Sequence, residues 1–524
     1  MLPEHYYLGV VILLFILAIT DLVVGVSNDA VNFLNSSIGA RVASRRVIMI
    51  IAGLGIFAGA LFSSGMMEIA RKGIFVPDYF SFQDVMIVFL AVMLTDILLL
   101  DLFNTFGMPT STTVSIVFEL LGASVVVAAI KIWFGEAAGD NLLMYINTEK
   151  AVAIISSIFL SILFAFSLGT IVQYLTRLVF SFHIYTTKPL TRILFFAGCF
   201  SAISYFLMFK GLSGASFIQS GWVTYVQEHL LQFTLSACLI WMITGTILNA
   251  IGVNLFRVIV LFGTFSLAMS FAGNDLVNFI GVSVAGLESF NLWVNSGEEA
   301  SLYLMEALGR PIQTNTPVLM AAGLVMVLTL WFSKKAQSVT ETEVKLARQN
   351  DGDERFQSNR LANMLVQAFQ TGNRIMVNIL PKAWMSHIDE RFSMLESEGD
   401  PADRPAFDLV RASINLTLAS LLISLATSFK LPLSTTYVSF MVAMGSSLAD
   451  RAWNSNSAAQ RISGVLNVVG GWFLTALIAF SAAGLFALLI HFGKGVAVAL
   501  LTAGVFYSIY RTFRLHQVKA AKPG

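Results

Sequence analysis

Charged side chains are scarce in this sequence: 12% of its 524 residues are Asp, Glu, Lys or Arg, where a soluble domain carries about 25%. So few charges cannot cover a water-facing surface, and 56% of the residues are hydrophobic with a mean hydropathy of +0.76. Lipid is therefore expected around much of the chain, with room for roughly ten or more spans of about 20 residues. Cysteine is nearly missing as well. Cys199 and Cys238 both lie in apolar runs and read as small hydrophobes rather than a disulfide or metal pair. HExxH, CxxC and GxxxxGK[ST] do not occur, so zinc-dependent and ATP-driven chemistry lack support and no cofactor is expected. A net charge of +1 leaves no broad basic surface, which argues against nucleic acid as a partner. No basic residue precedes the first apolar run, and Asp21 and Asp29 lie near its end, unlike a cleaved signal peptide.

Apolar stretches of spanning or near-spanning length fall at about 6–24, 47–67, 85–103, 112–130, 151–176, 190–209, 230–250, 253–273, 317–332, 409–428, 433–449, 461–490 and 495–510. One polar segment interrupts them, from Ser333 to about Phe407. Apolar residues at helical spacing in its middle (Leu361, Leu365, Ala368, Phe369) predict a small helical insertion. Its lysines and arginines, Lys334, Lys335, Lys345, Arg348, Arg355 and Arg360, place it in the cytoplasm by the positive-inside rule.

The sequence also repeats itself. SNDAVNFLNSSIGA at 27–40 matches GNDLVNFIGVSVAG at 273–286, and P-x-S-T-T occurs at Pro109–Thr113 and at Pro432–Thr436. From Asp29 to Asp275 the offset is 246 residues, and from Ser111 to Ser434 it is 323. The difference is close to the length of the polar insertion, so two related halves carry the same motifs in the same order. The expected division is a first transmembrane repeat at 1–180, connecting helices at 181–252, and a second repeat at 253–332 and 408–490. The 333–407 insertion splits that second repeat, and a C-terminal helix with a basic tail fills 491–524. Arg41, Arg45 and Arg46 follow the first N-D motif, whereas Arg257 precedes the second and Glu288, Glu298 and Glu299 follow it. The two segments therefore point in opposite directions. The predicted fold is an all-α membrane protein of two inverted-topology repeats, with broken helices and re-entrant helical hairpins. That architecture belongs to secondary transporters.

Each motif has a chemistry. Asp29 and Asn32, like Asp275 and Asn278, are three residues apart and share a helix face. A carboxylate with an amide oxygen suits a small cation, and a buried Asp needs some partner. Gly25, Ser27 and Gly273 mark places where the helices are expected to break and free carbonyls for the same ion. A lone Asn-Asp could simply cap a helix; two copies at matched places favour a site. In P-x-S-T-T the proline suits a first helical turn. Ser111, Thr112, Thr113 and Ser434, Thr435, Thr436 then add hydroxyl donors to free backbone N–H groups at the positive end of the helix dipole, which is an anion site. The competing reading, hydroxyls bonded back to the preceding turn, weakens once the motif is duplicated after proline. With Asp29 and Asp275 nearby, an oxyanion that still carries a proton fits better than one that carries none, so phosphate fits better than sulfate. Asp96 and Asp101 lack acidic counterparts in the second half, where Ala419 and Ser424 stand; local pairing and an asymmetric ion site are both open.

At these residues the chain resembles the inorganic phosphate transporter (PiT) family, from about residue 6 to 490. The resemblance implies symport of phosphate with sodium or protons and no enzymatic activity. The two S-T-T sets with Asp29 and Asp275 would surround phosphate, and Asp29, Asn32, Asp275 and Asn278 would also hold the coupling ion. It implies a multi-pass protein in contact with membrane lipid, expected in a bacterial inner (plasma) membrane, and leaves room for a homo-oligomer. Another oxyanion such as sulfate is the alternative substrate, and an enzyme acting on lipid phosphates is the remote one. The family usually places His after S-T-T, where this chain has Val114 and Tyr437, and Lys430 stands where Gly is common.

Overall fold

The computed structural model describes residues 4–106, 110–135, 141–182, 187–205, 228–310, 315–333, 382–392, 405–451 and 458–520, with isolated positions between them. Among these residues the chain is helical, apart from the isolated bridges Phe75–Ile146 and Ser81–Leu304. In order, the helices are α1 (Glu4–Gly39), α2 (Arg45–Leu61), α3 (Glu68–Lys72), α4 (Phe82–Phe106), α5 (Thr112–Trp133), α6 (Leu142–Tyr145), α7 (Thr148–Phe180), α8 (Pro189–Tyr205), α9 (Leu230–Ala250), α10 (Leu255–Ser296), α11 (Thr316–Phe332), α12 (Lys382–Arg391), α13 (Leu409–Ser428), α14 (Thr435–Ala449) and α15 (Ala458–Ala520). Eight of them are long and apolar enough to cross a membrane, or nine if α2 and the segment Ser63–Lys72, bent by 59°, count as one span. Large apolar side chains stand exposed along their outer faces, as at Ile12, Ile16, Ile19 and Val23 of α1 and Leu231, Leu235 and Leu239 of α9. Polar residues gather inside: Asp29, Asp275, Asn28 and Asn274 are completely buried. This inverted distribution is that of a multi-pass membrane protein.

One expectation is corrected. The helices do not break at Gly25, Ser27 or Gly273: α1 runs for 36 residues and α10 for 42 without interruption. Gly25 serves packing instead, since a Cβ there would run into the ring of Phe279 on α10. Ser27 donates to the Val23 carbonyl at 2.6 Å and pairs with Ser333 at 2.7 Å. The stretches 461–490 and 495–510 lie on two helical segments of α15 that meet at a kink at Lys494 (φ 47°, ψ −135°). Pro109 and the helical pattern at Leu361–Phe369 lie outside the described residues. At the far end of the insertion, α12 is described. Asp389 pairs with Arg451 at 2.7 Å, and Phe392, just beyond α12, stacks on Tyr174 of α7.

The two P-x-S-T-T segments each join the arms of a helical hairpin, α4 to α5 and α13 to α14. The second arm of each packs on a helix from the other half, α5 on α15 and α14 on α7. Gly122 and Gly445, again 323 residues apart, make these contacts: a Cβ on the first would meet the Phe480 carbonyl oxygen and on the second the Phe166 carbonyl oxygen. The halves are thus interlocked through backbone-to-backbone approach, as small residues permit between membrane helices. Substituting Gly122→Ala or Gly445→Ala should lower the thermal midpoint of the purified protein, because overpacking costs about 1–3 kcal/mol. Gly470→Ala, where nothing lies within 4 Å of the new Cβ, should leave it unchanged; equal midpoints for all three would contradict the interlock.

Candidate functional site

Both hairpin second arms begin with the same cap. Ser111 accepts from the Val114 N–H and Ser434 from the Tyr437 N–H, each at 3.1 Å. The serines therefore start the helices, as the motif reading requires, while their hydroxyl protons stay free of that bond. The threonines that follow do not turn back onto the preceding turn. Thr112 donates to Asp29 at 3.0 Å, and Thr435 donates to Asp275 through a short hydrogen bond. Within each half, the first threonine thus meets the aspartate of the same half.

The next threonine crosses over. Thr113 donates to Asp275 at 3.1 Å and Thr436 to Asp29 at 3.3 Å. The same hydroxyls lie 3.2 Å from the carbonyls of Leu433 and Thr110, immediately before the opposite caps. Asn32 reaches Thr435 and Thr436 at 3.2 and 3.1 Å, and Asn278 reaches Thr112 and Thr113 at 3.3 and 3.0 Å. All the predicted residues, Asp29, Asn32, Ser111, Thr112, Thr113, Asp275, Asn278, Ser434, Thr435 and Thr436, come together in one buried cluster. Each aspartate is shared between halves, and the pattern repeats under exchange of the two.

Two further residues belong here that the sequence reading passed over. Asn28 donates to Asp29 and to the Thr110 carbonyl, both at 2.8 Å, and Asn274 donates to Asp275 at 2.6 Å and to the Leu433 carbonyl at 2.7 Å. Each asparagine clamps the turn before a hairpin's second arm onto the long helix. Their signal was present, since both stand in the repeated N-D pair. Other expectations resolve differently. Asp101 accepts from Thr512 at 2.6 Å, which is local pairing. Tyr437, where the family has His, stacks on Trp472 with centroids 3.8 Å apart. Among the described residues no group of three or more His, Cys, Asp or Glu side chains is placed to hold a metal ion. A cation at Asp29 or Asp275 would accordingly be held by one carboxylate with neutral oxygens, a donor set suited to a hard monovalent ion or a proton.

The buried ends of the second hairpin are held by charge. Arg177 of α7, fully buried, pairs at 2.7 Å with Asp408, the cap of α13, and at 2.7 Å with Asp450, the residue after α14. Burial works against the charge on Asp408, but Arg177 outweighs it and holds that carboxyl below its ordinary value. In the first hairpin Lys131, in the last turn of α5, pairs at 2.6 Å with Asp84 in the first turn of α4.

The profile of the phosphate transporter family matches residues 25–340, more than half of the chain. Curated relatives named "Putative phosphate permease" include one from Thermococcus kodakarensis, 34% identical over 108 residues that cover 20% of this chain and 27% of that protein. One from Pyrococcus horikoshii is 28% identical over 149 residues, covering 28% and 36%. The chain thus spans about a quarter to a third of the length of the curated relatives it matches. A solved structure titled "The sodium-dependent phosphate transporter" shares the fold, with a TM-score of 0.62 over 92% of this chain and 99% of that one, at 17% identity.

Replacing Asn28 or Asn274 with Ala removes an amide donor shared by a buried hairpin carbonyl and an aspartate, at a cost of about 1–3 kcal/mol. The equivalent geometry predicts similar drops in thermal midpoint for N28A and N274A in detergent, and a drop for only one of them would show that the clamps are not equivalent.

Proposed function

The chain belongs to the phosphate transporter family, and from that membership and the buried cluster we propose that it carries inorganic phosphate across a membrane with a cation, by alternating access. The observation that carries the proposal is the exchange of threonine hydroxyls between Asp29 and Asp275. Two carboxylates and six S-T-T hydroxyls meet at the N-termini of α5 and α14, where the helix dipoles favour an anion. Ser111, Thr112, Thr113, Ser434, Thr435 and Thr436 are the donors to phosphate in this reading, and protons still on phosphate can be donated to Asp29 or Asp275. The family-wide His being replaced by Val114 and Tyr437, no histidine takes part at those positions.

Coupling follows from hydrogen-bond accounting. Within the cluster the hydroxyls satisfy the carboxylates. An oxyanion that recruits those hydroxyls leaves Asp29 and Asp275 with only their asparagine donors, and a buried acceptor that loses a donor costs about 1–3 kcal/mol. A cation at Asp29/Asn32 and Asp275/Asn278 restores the balance and offsets the anion's charge, so anion and cation bind better together than apart. The similar solved transporter is described as sodium-dependent, which supports sodium as the ion; a proton is the other candidate. The repeated bonding pattern and the opposed charge flanks support inverted repeats, which place such a site at their interface near the bilayer midplane. A bacterial inner membrane fits the cytoplasmic reading of the basic flanks.

Radiolabelled phosphate uptake into proteoliposomes, driven separately by an inward sodium gradient and by a proton gradient, tests this directly. The expected result is accumulation under one gradient, unaffected by excess sulfate. Asp275→Asn should abolish gradient-driven uptake while the protein still inserts; uptake at the wild-type rate by that variant would remove Asp275 from the mechanism.

A further inference from the structure

Beside the hydroxyl cluster lies a second group of acids that it does not use. Asp21 of α1, Asp96 of α4 and Glu119 of α5 are completely buried, and none of their six carboxylate oxygens finds a hydrogen-bond donor of ordinary geometry. The carboxyls of Asp21 and Asp96 are within hydrogen-bonding reach of each other, and Glu119 lies within Coulombic reach of both. Ser115, also completely buried, turns its hydroxyl towards Asp96 and has no other partner among the described residues.

Among the described residues no hydrogen bond or ion pair brings these acids a counter-charge: Arg411 of α13 donates to Ser446 and the Ala443 carbonyl, and Arg45 and Arg46 of α2 are exposed. α15, packed on α4 and α5, has no charged residue between Arg461 and His491. His491 and Lys494 line a small cavity with Gln83, Met86 and Leu90, at the opposite end of α4 from Asp101. Lys131 of α5 is taken by Asp84. α10 has no basic residue after Arg257, and α11 has none. The other acids nearby are Asp29, which Asp21 senses electrostatically along α1, Asp275 beyond it, and Asp101, bonded to Thr512. Three uncompensated carboxylates at this depth would be very costly, and two carboxyls in mutual reach cannot both ionise at ordinary pH. Protons are the occupants that fit, since a proton shared between two carboxyls removes a charge without needing further oxygen ligands.

Nor does the fold demand the acids. At the same offsets, 246 for α1 and 323 for the hairpin, the second half has Leu267, Ala419, Val438 and Val442 in place of Asp21, Asp96, Ser115 and Glu119. All four are buried without difficulty. The repeat that builds the hydroxyl cluster twice builds this group once.

We propose that Asp21, Asp96 and Glu119, with Ser115, form an exchangeable proton-binding site, confined to the first half, that tunes anion loading at Asp29. A proton held between Asp21 and Asp96 removes a negative charge from the neighbourhood of Asp29; losing it adds one and weakens anion binding. The proton site stands on its own residues, and only its link to loading rests on the transport reading above.

Infrared spectroscopy of the lipid-reconstituted full chain, titrated in sodium-free H2O and D2O, tests the site without transport. The expected result is a protonated-carboxyl C=O band that titrates with pH and loses intensity in D96N and, separately, in E119Q. Equilibrium binding of radiolabelled phosphate, sodium-free, should strengthen in the wild type as pH falls, by at most about tenfold per pH unit for one linked proton, after allowance for phosphate's own ionisation. The amide introduced by D96N imitates the neutral acid, so that variant should flatten the dependence. A band lowered by D29N or D275N but by none of D21N, D96N and E119Q would overturn the proposal. So would a band that never titrates, or one that appears only when sodium is withdrawn. A wild type that shows the band but binds no phosphate would sink the transport reading and leave the proton site standing.

Discussion

A carboxylate inside a membrane protein has to be given donors, and in this molecule the donors come from both halves at once. Asp29 is served by Thr112 of its own half and Thr436 of the other, and Asp275 by Thr435 and Thr113 in the same way. Each aspartate also accepts from the asparagine before it, so its donors come from its own half and from the opposite one. These shared bonds hold the starts of α5 and α14 against α1 and α10. The asparagines before each aspartate hold the hairpin turns in place, and Gly122 and Gly445 let the second arms settle onto helices of the opposite half.

In the transport reading proposed above, the cluster's internal balance of donors and acceptors would be disturbed by an anion alone or a cation alone and kept by the pair. No basic side chain is needed, which agrees with the absence, among the described residues, of Lys and Arg from the partners of the ten site residues.

Much of this was legible in the sequence because it was written twice. The Asp, Asn, Ser and Thr residues stood out through duplication, and the difference in offsets located the insertion. The crossing of Thr113 to Asp275 was not legible, because offsets order motifs along the chain but say nothing of which copy meets which. Gly25 was misread for a physical reason: a glycine beside a polar motif suggests a broken helix, yet here it makes room for Phe279 from α10. Asn28 and Asn274 were overlooked because attention went to residues sharing the aspartate's helix face, whereas they bond sideways to a neighbouring turn. Arg177, Asp408 and Asp450 stand outside the repeated motifs, and only the folded chain shows the arginine buried and paired with both aspartates.

The ion pairs at the two hairpins also differ in ownership. The first closes its base with its own charges, Lys131 to Asp84. The second is closed by an arginine lent from α7, with Asp408 and Asp450 gripped by one guanidinium. Any tilt of the second hairpin would have to carry α7 with it or break two buried pairs, whereas the first keeps its ion pair within itself and meets α15 through Gly122 and Asp101. Two hairpins that share a motif are thereby fastened differently, one across its own base and the other to a helix of the opposite half.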